Sequence, residues 1–104
     1  MAKVVVDSGI CGFSTTITAV SEDMQFVDIE FESTCPHISK AREELKRVDA
    51  YHEIFKKPHE TEIYRILSQY LPHVSCPSYS GFLKAVEVAA GLALPKDASI
   101  KFVE

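Results

Sequence analysis

No apolar run in the 104-residue chain approaches the ~20 residues that a membrane-spanning helix needs, so no membrane insertion is expected. No basic stripe offsets the formal net charge of −4, which disfavours nucleic acid as a partner. Lys56-Lys57 is an isolated pair that reads as a solvated face. There is no phosphate-cradling loop, no nucleophile elbow for a Ser-His-Asp arrangement and no paired-carboxylate signature. The chain is therefore expected to bind rather than to catalyse. No repeat, linker or low-complexity segment divides it, and 1–104 reads as a single domain. Met1 to Asp7 is too short and too soon charged for a signal peptide, so the expected compartment is the reducing cytoplasm. Cysteine is scarce as well. Three is an odd number that excludes a closed set of disulfides, and none of the three forms a Cys-x-x-Cys pair.

What is present is patterned. With 46% apolar and 25% charged residues the composition is that of an ordinary globular domain with one modest core. Lys3 to Asp7 and Ser14 to Val20 are β-branched-rich and read as strands. Ser21-Glu22-Asp23 reads as a hairpin turn. In Gln25 to Ser33, Val27, Ile29 and Phe31 alternate with Asp28, Glu30 and Glu32, the period of a strand with one buried face. The connections are too short for parallel crossovers, so an antiparallel meander is expected.

Helical spacing then takes over. Ile38, Ala41, Leu45 and Val48 predict a helix from Pro36 to Val48, with proline at its first position. Asp49 is placed to cap a further turn or two, and Thr61 to cap a helix with Ile63, Ile66, Leu67, Tyr70 and Leu71 on its apolar face. Pro72 closes that helix. A last, largely buried helix is expected from Ser80 to Ala93, carrying Phe82, Leu83, Val86, Ala89 and Ala90. Ser99 to Val103 reads as a short edge strand. The fold class is α+β: an antiparallel sheet of three to four strands with three to four helices packed on one face.

The chemistry is expected at the cysteines. Each has a conformationally special neighbour: Cys11-Gly12, Cys35-Pro36 and Cys76-Pro77. All three fall at element ends, where ligands are presented, although three unrelated small hydrophobes would look the same. Cys35 sits where a strand hands over to a helix start, and the positive end of a helix dipole favours thiolate. His37, on the same loop, is the best fourth ligand, and His73 is the alternative, unless it only caps the preceding helix. His52 and His59 lie among charged residues and read as surface. Asp7 is a ligand or a turn-former. A Cys-His catalytic pair, Cys35 with His37 or Cys76 with His73, is weaker, because catalytic partners are normally distant in the chain.

The layout resembles that of iron–sulfur cluster scaffold proteins of the IscU and NifU N-terminal type, over about Val4 to Ala93. Cys11-Gly12 stands before a two-strand hairpin, Cys35 ends the next strand and opens a helix, and Cys76 follows Leu71-Pro72 before an Ala-rich helix. The gaps, 24 positions from Cys11 to Cys35 and 41 from Cys35 to Cys76, are similar to the family's. The departures are specific. Phe13 replaces the aspartate of Cys-Gly-Asp, Pro36 follows the middle cysteine in place of glycine, and Ser75 precedes the third in place of histidine. The chaperone-docking motif is reduced to Leu71-Pro72-His73-Val74.

The resemblance implies a SufE/NifU-like fold. It also implies an iron–sulfur cluster or zinc held by Cys11, Cys35 and Cys76, and a cysteine desulfurase or a cluster-accepting protein as partner. Thiolates suit zinc or iron–sulfur centres rather than magnesium or calcium. Two other readings stand beside it: a persulfide acceptor working without metal, most naturally on Cys35, and a small interaction module with structural cysteines.

Overall fold

Period-two alternation builds the first third of the molecule. In the computed structural model, which describes residues 1–104, β1 spans Ala2–Asp7, β2 Ser14–Val20 and β3 Phe26–Ser33. Val27, Ile29 and Phe31 are buried and Asp28, Glu30 and Glu32 face water, as the alternation requires. β2 points Thr15, Ile17 and Ala19 to the same core. The β2–β3 turn is held by Asp23, whose carboxylate accepts the N–H groups of Gln25 and Phe26. Those two donors hold its carboxyl below the ordinary aspartate range.

The expected helix from Pro36 to Val48 is interrupted. Helix α1 covers only Pro36–Ser39, a 3-10 turn follows over Lys40–Glu43, and Arg47–Asp49 forms a fourth strand, β4. Ile38, Ala41 and Leu45 are buried at the spacing that predicted the helix. Val48 shares that spacing, yet it pairs with Val27 across the β3–β4 ladder. The open edge of β3 offers it backbone partners that a continued helix would have left unmatched.

Asp49 then caps the short helix α2 (Ala50–Ile54), accepting the Tyr51 N–H at 3.0 Å. Thr61 caps α3 (Glu62–Ser68) through the Tyr64 N–H. Helix α4 runs over Ser78–Ala89 rather than Ser80 to Ala93. Gly91, at φ +76°, stops it. The Gly91 N–H reaches the Val88 carbonyl and the Leu92 N–H the Glu87 carbonyl, a Schellman end. Ser99 to Val103, expected as an edge strand, has no strand pairing and is exposed.

The sheet order is β1-β2-β3-β4, antiparallel throughout. Helix α4 lies over β1 and β2, close enough that Gly81 has no room for a Cβ beside Val6. It reaches β3 through an edge-to-face contact of Phe82 with Phe31, centroids 4.9 Å apart. Tyr64 of α3 stacks on Tyr79 of α4 at 4.5 Å. The other face of the sheet stays polar. A groove of about 650 Å³ there is lined by Lys3, Thr16, Thr18, Glu30, Arg42 and Lys46 among others.

Candidate thiol site

One end of the sheet gathers all three cysteine-bearing connections. β1 and β2 close there through the Asp7–Ser14 pair. Ser14 is tied to the end of β3: its N–H donates to Thr34 Oγ1 at 2.9 Å, and its carbonyl accepts the Thr34 N–H at 3.0 Å. Cys35 is the next residue. Helix α4 approaches the same end, because Gly81, in its first turn, packs on Val6 and Ile17. Cys76 therefore enters there, two residues before α4 begins.

The three side chains differ sharply in environment. Cys11 is exposed at the tip of the β1–β2 turn. That turn is shaped by Gly9 and Gly12 at φ +89° and +76°, a region that favours glycine. Its backbone is held by the Ser8 N–H donating to the Phe13 carbonyl and the Gly9 N–H donating to Asp7 Oδ1. Asp7 is thus a turn-former in this structure. Cys35 is 6% exposed and belongs to the main hydrophobic core. Its N–H donates to Ser33 Oγ at 3.1 Å, and its carbonyl accepts from the Ser39 N–H and hydroxyl. Ser33 Oγ in turn shares a 2.8 Å hydrogen bond with Thr15 Oγ1. Helix α1 behind Cys35 is a single turn, so it offers far less dipole than the thirteen-residue helix the pattern suggested. Cys76 is half-buried and packs against the core, with its N–H directed to the His73 carbonyl. Burial raises the neighbouring Tyr79 hydroxyl above the ordinary tyrosine range, with Cys76 and then Tyr64 adding to the effect.

His37 is half-buried on α1, and His73 is exposed. No three or more His, Cys, Asp or Glu side chains are grouped closely enough to hold a metal ion. The shared end is therefore a matter of topology, and the sulfurs are not arranged as a closed ligand set. Two hydroxyls absent from the sequence reading belong to the same end. Ser8 Oγ and Ser78 Oγ are both buried without a hydrogen-bond partner, Ser8 opening the Cys11 turn and Ser78 opening α4. Serine beside a turn is too common to have signalled this.

The fold and site define an α+β protein with an open antiparallel sheet and three thiols carried to one end of it. The chain belongs to a family of unknown function, DUF6951, which matches residues 2–102. No curated protein and no solved structure matches it.

Proposed function

We propose that the protein binds a thiophilic metal ion or an iron–sulfur cluster at the end of the sheet that carries Cys11, Cys35 and Cys76. The supporting observation is that every cysteine of the chain, from three separate connections, comes to this one end. Soft thiolates select zinc or iron–sulfur centres. The Ser8 and Ser78 hydroxyls, buried without a partner where the Cys11 turn and α4 begin, are free to donate to a bound group.

As folded, the donors do not yet meet, so binding requires movement. Sulfurs on one tetrahedral zinc lie roughly 4 Å apart. The exposed Cys11 turn is the segment best able to close, and Cys35 must turn its sulfur out of the core. His37 would complete the set. Such a protein would receive or pass on its cargo through a cysteine desulfurase or a cluster acceptor. Metal and acid-labile sulfide in protein purified without oxygen, compared with the triple Cys→Ser variant, test the reading. Stoichiometric metal lost in the variant supports it.

The exposure of Cys11 favours a second reading, a persulfide acceptor without metal. A sulfur acceptor must be reachable, and Cys11 is exposed where Cys35 is 6% exposed. Protein free of metal but carrying one fast-reacting thiol at Cys11 would select it. Three slow thiols and no metal would leave an interaction module.

A further inference from the structure

β1 is an edge strand with no neighbour beyond it. Its outer row of backbone N–H and C=O groups has no strand partner. Edges are usually blunted by proline, bulges, several lysines or brevity. β1 is six residues long with Lys3 as its single lysine and no proline, and Val5 stands 69% exposed on it. The opposite edge, β4, is three residues long and leads directly into α2.

The segment Ser99 to Val103 is the reverse case. It alternates as a strand does, yet Ile100, Phe102 and Val103 are 84%, 102% and 91% exposed. The family match runs from residue 2 to residue 102 and so takes in both β1 and most of this segment. We infer that Ser99 to Val103 adds as an antiparallel strand to the β1 edge of a second copy of the chain, and that two copies exchange these strands reciprocally.

Charge and shape agree on one register. Pairing Lys101 with Asp7 sets opposite charges across the ladder and brings Val103 beside the exposed Val5. Phe102 then lies beside Val6, at the rim of the core. The geometry also favours a second copy over the chain's own β1. Helix α4 ends beside Met24, at the end of the sheet where Ala2 pairs with Ala19. A segment leaving from there and running straight along its own β1 would be parallel to it, and parallel pairing is the weaker form. The connection from Leu92 to Ala98 spans up to about 25 Å, so its own edge is within reach, and yet the segment does not pair with it. Exchange between two copies gives each an antiparallel strand and a self-complementary, two-fold interface.

The test is the mass of the full chain by sedimentation equilibrium across a concentration series, with two variants. In Ile100→Asp/Phe102→Asp and in Val5→Lys the altered side chains are exposed on the single chain, so both proteins should still fold and melt cooperatively, their midpoints matching that of wild type at concentrations low enough to dissociate its dimer. The expected result is a wild-type dimer whose dissociation constant rises at least about tenfold in each variant. A wild type that stays monomeric at millimolar concentration overturns the inference. So does a dimer indifferent to both variants, or a monomer in which hydrogen exchange shows the Ser99–Val103 amides protected by its own β1.

Discussion

Glu53 Oε1 accepts the amide proton of Ile63 at 2.7 Å, and Oε2 accepts that of Glu62 at 2.8 Å. With 2% of its surface exposed, this carboxylate pins α2 to the first turn of α3 and satisfies two otherwise unmatched N–H groups. The Glu53→Gln variant can offer one of these donors an oxygen but turns an amino group toward the other. It should lose about 1–3 kcal/mol of stability, read as a lowered urea midpoint at unchanged slope. An unaltered midpoint would show that the two contacts contribute nothing net.

The same residue gives a pH dependence. Burial pushes the Glu53 carboxyl above its ordinary value of 4.5, against the pull of the Glu62 and Ile63 N–H groups. A carboxyl raised in the folded state favours folding below its unfolded value. That contribution is lost as pH rises through the folded value. The stability of wild type relative to Glu53→Gln should therefore grow as pH falls from neutrality toward 4.5. A wild-type advantage that shrinks on acidification would contradict it.

Helix α4 is set by a close approach to the sheet. A Cβ on Gly81 would lie 2.3 Å from Val6 Cγ2. Valine is stiff at χ1 and Val6 is buried, so the contact cannot be relieved by a side-chain swing. Gly81→Ala gains up to about 1 kcal/mol of helix propensity. It should nevertheless be destabilising overall by about 1–3 kcal/mol through overpacking. A variant as stable as wild type by thermal melt would mean that α4 can slide away from β1 without cost.

Much of this was legible before the structure. Strands β1 to β3 follow from alternation, because one side of each faces the core and the other faces water. The caps at Asp49 and Thr61 follow from local hydrogen-bonding chemistry. The Pro36 to Val48 segment departs from its pattern because Ile38, Ala41, Leu45 and Val48 keep helical spacing although the chain leaves the helix after Ser39 and Val48 belongs to β4. The backbone need of β3, far away in sequence, decided between helix and strand. Ser99 to Val103 shows the converse: alternation signals a strand and does not supply its partner. For the site, the sequence placed the cysteines at element ends, and the fold carries them to one end of the sheet. It gave no hint that Cys35 would be buried, that Ser8 and Ser78 would lack partners, or that Glu53 would be buried, since each depends on contacts between separate elements.

Two of the histidines differ in their placement. His37 is half-buried two residues from Cys35, whereas His73 is exposed and presents its carbonyl to the Cys76 N–H. His37→Ala should weaken zinc retention about tenfold or more, and His73→Ala less. Equal affinities for wild type and His37→Ala would remove His37 from the ligand set.

The most direct measurement is zinc binding by the reduced, metal-free protein in competition with a chromogenic chelator, for wild type and for the three single Cys→Ser variants. The expected result is one zinc per chain, with proton release on binding because the thiols must ionise. Retention should be lost when Cys11, Cys35 or Cys76 is replaced. A wild type that surrenders all of its zinc to the chelator, or single variants that hold it as tightly as wild type, would contradict a shared three-thiolate site.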